Sequence, residues 1–307
     1  MKIRLGYACI SNAIKDTSSS NLTYSYFKKL GNLGYDKLES VITSNLKSLK
    51  KILKYNVKND IYFYRMSSRI IPLLTHPNVN IDLNKYKAYF VNIGKIINDN
   101  KMRVDLHIDP YYVLNSVNNN VVQSTINICK IYRNMFNLMK IKSNIIFHIG
   151  GKTISKEEGI KRFIKNYNLL DKDIKDLIII ENDDKIYNIL DCIEISKKTS
   201  VKICVDYHHF KCNNCGENIK DYLKNIFSGY KELPKMHFSS PKSKKEFRAH
   251  SEYVDVKEFV DFLSILKEIN MDLDIMIEAK MKDDALFRLV RQLKYLNYKV
   301  EGTTIYI

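Results

Sequence analysis

Six short apolar runs in this sequence end in a residue able to bind a metal or move a proton. His107 closes Arg-Val-Asp-Leu-His, His148 closes Asn-Ile-Ile-Phe-His, Glu181 follows Leu-Ile-Ile-Ile, and Asp206 follows Val-Lys-Ile-Cys-Val. His237 and Glu278 occupy the same relative place in two later runs. Imidazoles mixed with carboxylates, and no cysteine among them, suit Mn²⁺, Zn²⁺ or Fe²⁺ better than a thiolate-bound structural zinc. Adding His76, His209 and His250 from neighbouring loops gives nine candidate ligands, whereas one tetrahedral ion takes about four. The surplus points to a cluster of two or three ions. Glu181 or Asp206 would bridge them, because a carboxylate offers two oxygens where an imidazole nitrogen binds one cation. Such clusters hydrolyse phosphate esters by generating hydroxide and neutralising charge on the attacking and leaving oxygens. Lys235 lies two residues before His237, so the period of a strand turns its amine to the same face. An ammonium there would be repelled by the ions, which predicts a neutral amine with a depressed pKa.

The elements that must position these groups follow from hydrophobic period. β-branched runs recur at 3–9, 61–66, 103–107, 144–149, 177–181, 201–206, 235–238 and 273–278. Helical patterns fall between them near 37–55, 83–99, 122–140, 157–171, 186–198, 217–227, 255–270 and 282–298. In the first, Leu38, Val41, Ile42, Leu46, Leu49, Ile52 and Leu53 recur at three and four residues, a set that a period-two strand could not bury. Eight βα units predict the α/β class and a single (β/α)₈ TIM barrel over residues 1–307, with no Gly- or Pro-rich linker to mark a second domain. In that barrel the strand ends share the C-terminal rim, where active sites are built.

The chain carries 50 Lys and Arg against 34 Asp and Glu, a net +16, which favours a polyanionic partner. Abundant Lys, Asn, Ile and Tyr also fit an A- and T-rich coding bias. No apolar run approaches bilayer length. Six dispersed cysteines without a secretory signal predict reduced thiols and a cytoplasmic protein. Cys212-Asn-Asn-Cys215 lacks a second cysteine pair and is left outside the site.

Longer motifs resemble the UV damage endonucleases of the UvsE/UVDE type, DNA repair enzymes related in fold to endonuclease IV. The likeness runs through Arg-Leu-Gly-Tyr at 4–7, Tyr-Arg-Met-Ser-Ser-Arg-Ile-Ile-Pro at 64–72, Thr-His-Pro at 75–77, His-Ile-Gly-Gly at 148–151 and Glu-Asn-Asp-Asp at 181–184. It continues in Asp-Tyr-His-His at 206–209, Pro-Lys-Met-His-Phe-Ser-Ser-Pro at 234–241, Phe-Arg-Ala-His at 247–250 and the stretch 274–286. The resemblance implies an enzyme that acts on damaged double-stranded DNA, nicks the strand immediately 5′ to a UV photoproduct and leaves a 3′-hydroxyl and a 5′-phosphate. It needs no membrane and no obligatory protein partner. The implied cofactor is a cluster of up to three divalent ions, Mn²⁺ the favoured metal and Zn²⁺ or Mg²⁺ the alternatives. Its ligands would be His76, His107, His148, Glu181, Asp206, His209, His237, His250 and Glu278, with His208 behind them. Glu181, Asp206, Lys235 and Glu278 are the implied catalytic groups, and Lys235 carbamylation is a modification that members of the family carry.

Two stretches depart from the family pattern. After His107 the family's Pro-x-Gln and aromatic become Ile108-Asp109-Pro110-Tyr111, which keeps the aromatic and loses the Gln. After Gly151 the family's Tyr-Gly-Asp/Asn-Lys becomes Lys152-Thr153-Ile154-Ser155-Lys156. All nine ligands survive both. Tyr111, Pro110 as an apolar wedge, and Tyr7 at a position that matches the family's lesion pocket are assigned to DNA. Two rival readings compete with this one. A Mn²⁺-dependent sugar isomerase or epimerase on the same barrel has a small neutral substrate that needs neither nine ligands nor +16, and a non-catalytic DNA-binding protein gains nothing from carboxylates aimed at phosphates.

Overall fold

The computed structural model describes residues 1–307. The chain begins β1 (Lys2–Cys9), α1 (Tyr24–Lys29), α2 (Gly34–Lys58), β2 (Phe63–Met66), α3 (Lys87–Asp99), β3 (Arg103–His107), α4 (Asn119–Met139) and β4 (Ile145–His148). It continues α5 (Lys156–Asn168), α6 (Lys172–Lys175), β5 (Ile178–Glu181), α7 (Ile189–Thr199), β6 (Lys202–Asp206), α8 (Tyr207–Cys212) and α9 (Lys220–Ser228). Last come β7 (Lys235–Phe238), α10 (Val256–Ile269), β8 (Leu273–Ile277), α11 (Lys282–Tyr295), β9 (Lys299–Glu301) and β10 (Thr304–Tyr306). Strands β1 to β8 pair in parallel, each with the next, and β1 also pairs with β8 and β2. The barrel is therefore closed, a (β/α)₈ TIM barrel.

Side chains alternate between barrel interior and helix layer. Ile3, Leu5 and Tyr7 join the large helix-facing core, whereas Ala8, Phe63 and Met276 form one interior cluster and Ile146, Ile179 and Cys204 another. Below these, at the N-terminal mouth, lies a layer of charge. Asp274 takes Arg4 Nε at 2.6 Å and Arg103 Nη1 at 2.9 Å, and Lys235 Nζ donates to Asp105 Oδ2 at 2.6 Å and Asn144 Oδ1 at 3.3 Å. Above them the same alternation raises the proposed ligands to the rim.

The expected helix at 37–55 is α2, with Leu38, Ile42, Leu46, Leu49, Ile52 and Leu53 buried. Three short helices, α1, α6 and α8, and one hairpin had no sequence signal long enough to be read. In that hairpin, Gly302 opens a two-residue turn at φ 57°, and β10 pairs antiparallel with Lys2–Arg4 of β1. Tyr7 corrects an expectation. It is fully buried, its hydroxyl donates to Asn56 Oδ1 at 2.7 Å, and its ring packs edge-on to Tyr64. Strand parity turns it toward α2 rather than the rim, so it presents no face to a DNA base.

Helices α3 and α4 approach closely at Gly94, where an added Cβ would stand 1.7 Å from the Met139 carbonyl oxygen. Backbone cannot yield as a flexible side chain would. Gly94→Ala is expected to cost about 1–3 kcal/mol in urea unfolding through overpacking; an unchanged midpoint would show that the two helices separate freely.

Candidate metal centre

Glu181, the last residue of β5, is the hub of the rim. Its Oε2 lies 3.0 Å from His107 Nε2 and 3.6 Å from His148 Nε2, and its Oε1 lies 2.5 Å from His237 Nδ1. His237 Nδ1 is in turn 3.1 Å from Glu278 Oε1. Two sets of donors, each fit for a metal ion, share this carboxylate: His107, His148 and Glu181, and Glu181, Asp206, His237 and Glu278. Donor separations near 3.0 Å match those around an ion with bonds of about 2.0–2.2 Å at right angles.

Burial and charge oppose each other here. Burial would raise the Glu181 carboxyl, but the charge of His237 and hydrogen bonds from His107 and His237 hold it well below the usual carboxylate range. Glu278 is partly buried, and Arg65, its ion-pair partner, outweighs that burial and keeps the carboxyl ionised. The His209 imidazole, against its own burial, is lifted to about 9 by the Asp206, Glu181 and Glu278 carboxylates, and buried His237 is pushed up by Cys204 first and then by Glu181 and Glu278. His148 moves the other way because burial dominates. The clustered carboxylates thus favour the charged form of His209 and His237.

The fit to metal rests on orphaned atoms as well. Asp206 Oδ2, His148 Nδ1 and His237 Nε2 are buried with no hydrogen-bond partner. His107 donates Nδ1–H to the Ile108 carbonyl at 2.8 Å, and His209 donates Nδ1–H to the Asn182 carbonyl at 3.0 Å. Each bond puts a proton on Nδ1 and aims Nε2 into the centre, where an ion would take the place of its proton, the orientation that metal-binding histidines adopt.

The nine expected ligands do not all converge equally. His209 comes from α8, whose first turn is fixed by Asp206 Oδ1 accepting from the His209 amide at 2.7 Å. His250 arrives on a loop, with Nδ1 3.8 Å from Glu278 Oε2. His76 stands outside both sets: its Nδ1 accepts from the Asn78 amide at 3.3 Å and its ring stacks on Tyr24 at 3.7 Å. His208 is buried behind the centre, its Nε2 3.3 Å from the Arg248 carbonyl. Lys235 lies one layer beneath. Burial depresses its amine, as expected, yet its counter-charge is Asp105 rather than the ligand carboxylates. The expectation that its amine faces the ions is corrected accordingly, because the barrel interior supplies an acid at its own level.

Two residues escaped the sequence reading. Arg65 shares the interior parity of Phe63, which was the available signal. Asn182 clamps its neighbour strand: its Oδ1 accepts from the Asp206 amide at 2.9 Å and its Nδ2 donates to the Asp206 carbonyl at 3.0 Å. Beside the centre, Tyr111 is 64% exposed and lines a groove of about 480 Å³ with Arg69, His76 and Asp109; Pro110 precedes it in the same exposed loop.

Comparison with known proteins matches residues 3–304 to the UV-endonuclease UvdE family. A UV DNA damage endonuclease of Bacillus mycoides (strain KBAB4) is 37% identical over 301 residues, covering 95% of both chains. Among solved structures, SacUVDE superposes with a TM-score of 0.88 at 31% identity, over 96% of this chain and 99% of that one. Endonuclease IV from Thermus thermophilus superposes with a TM-score of 0.57 at 10% identity, over 95% and 98% of the two chains, a likeness of fold alone.

The Asn182 clamp makes a prediction separate from catalysis. Asn182→Ala is expected to weaken Mn²⁺ affinity by about 10–100-fold, measured by competition with a coloured chelator while circular dichroism stays unchanged. Unaltered affinity would mean that Asp206 and His209 hold their places without it.

Proposed function

The chain belongs to the UvdE family of UV endonucleases, and from that premise we propose that it nicks DNA immediately 5′ to UV photoproducts, leaving a 3′-hydroxyl and a 5′-phosphate, with divalent ions held at the barrel rim. It is a DNA repair endonuclease. The observation that carries the finer reading is the position of Glu181 between two donor sets. His107, His148, Glu181, Asp206, His237 and Glu278 would hold the ions, with His209 and His250 at their edge and His76 approaching from the groove. When bound there, divalent ions, manganese the favoured one, supply Lewis acidity to phosphate oxygens and acidify an attacking water.

The chain's own residues do the rest. Glu181 presents one oxygen to each set, so its two lone-pair directions fix the spacing of the centre. Arg65 holds Glu278 ionised and in place, and Asn182 does the same mechanical work for Asp206. Buried carboxylates of this density repel an unaccompanied phosphodiester, which makes charge neutralisation a condition of substrate approach. The groove beside Tyr111 offers the strand an aromatic face and the Arg69 guanidinium, and a chain of net +16 draws the polyanion toward it. No helix is long and apolar enough to cross a membrane.

UV-irradiated supercoiled plasmid incubated with the protein and Mn²⁺ is expected to relax, and EDTA to abolish the nicking. Glu181→Gln is expected to lose both bound metal and nicking; a variant with full metal content and full activity would break the shared-carboxylate reading. Lesion reading separates from metal binding at Tyr111. Unstacking a duplex costs a few kcal/mol, less at a lesion, and an inserted ring offsets it. Tyr111→Ala is therefore expected to keep its metals and lose most incision at a defined photoproduct. Undiminished incision would put the lesion probe elsewhere, and lost metal would make the loop a structural one.

A further inference from the structure

The barrel's N-terminal mouth, opposite the metal rim, holds a cavity of about 650 Å³, larger than the groove beside Tyr111. It opens where β3 pairs with β4 only through Leu106↔Ile145 and His107↔Ile146, so that Arg103–Asp105 at the start of β3 have no strand partner on that side. Seven cationic side chains line it against three acidic ones. Several are already matched: Arg4 and Arg103 share Asp274, Arg133 pairs with Asp173, and Lys202 with Glu232. Lys101, Lys142 and Lys231 line the same cavity and have no acidic partner. On the floor, Arg103 Nη2 is buried without an acceptor. A guanidinium N–H in that state is costly and marks a place for an anionic oxygen.

The rest of the lining narrows the ligand. Ile141, Leu177 and Leu233, each partly exposed, contribute an apolar wall, which a bare inorganic anion would leave uncovered. The volume falls in the range of small-molecule sites, about 300–1,000 Å³, and a recess of that size does not admit a duplex. We propose that the N-terminal mouth binds a small phosphorylated molecule of nucleotide size, its phosphoryl groups among Lys101, Lys142 and Arg103 and its organic body against Ile141. This site is separate from the catalytic rim, with the interior layers of the barrel between them, and it does not depend on how the rim cleaves DNA.

The test is a titration of the full-length, metal-loaded protein with a fluorescent ATP analogue. Wild type is compared with Lys101→Glu/Lys142→Glu and with the charge-conserving Lys101→Arg/Lys142→Arg. The expected result is saturable one-to-one binding, weakened about tenfold or more in the Glu variant by removal of two charge-assisted contacts and retained in the Arg variant. Nicking of irradiated plasmid should be unchanged in both, which also shows that they fold. Three results would overturn the proposal. The first is absence of saturable binding. The second is equal affinity in the Glu variant, which places the nucleotide at the rim. The third is displacement of the analogue by undamaged duplex DNA whose own affinity falls in the Glu variant, which makes the mouth a nucleic-acid contact.

Discussion

Like-charge repulsion among three clustered carboxylates, two of them buried and Glu278 partly so, is the constraint on which the rest of the rim depends. Glu181, Asp206 and Glu278 converge with one guanidinium, Arg65, among them. In a medium of low dielectric such a group is stable only if positive charge is supplied. Arg65 supplies part of it to Glu278, and the carboxylates favour the charged form of His209 and His237. The same repulsion explains why the supports are polar: Arg65 holds a carboxylate oxygen of Glu278, and Asn182 holds the backbone from which the Asp206 carboxylate projects. A site so assembled is costly to fold and selective in what it accepts, since only cations or protons relieve it.

That cost is carried by an ordinary barrel. Apolar interior clusters around Phe63 and Ile179 separate the rim from the charged layer of Arg4, Arg103, Asp105, Lys235 and Asp274. The lower layer sets its acids against bases of its own and leaves Arg103 Nη2 as a free donor, whereas the upper one gathers carboxylates. Stability and chemistry are thereby assigned to opposite ends of one set of strands, the division usual in this architecture.

Much of this could be read in the sequence, for a physical reason. A ligand at a strand end interrupts an apolar run, and six such interruptions at the same relative place point to one rim. What escaped was non-local or too short. Arg65 is legible only with its partner Glu278, which lies more than two hundred positions away. The clamp by Asn182 is a backbone contact between adjacent strands, which carries no residue pattern. Helix α8 spans six residues, too few to show a period, yet it delivers His209. Tyr7 went wrong because its place in a family motif was weighed above its parity: Gly6 and Ala8 face inward, so Tyr7 cannot.

Parity also gives the chain something like a reading frame of its own. From β3 to β8 each strand is four or five residues long and carries its candidate ligand within one position of its last residue. One residue inserted within β5 would turn Glu181 into the helix layer and bring Ile180 inward, exchanging a shared anion for a hydrocarbon. Two inserted residues would restore the face but move the carboxylate about 6–7 Å along the strand. Insertions and deletions in the loops leave the frame intact. Over evolutionary time such a protein is free to change the length of its connections, while within eight short segments only substitution is open to it.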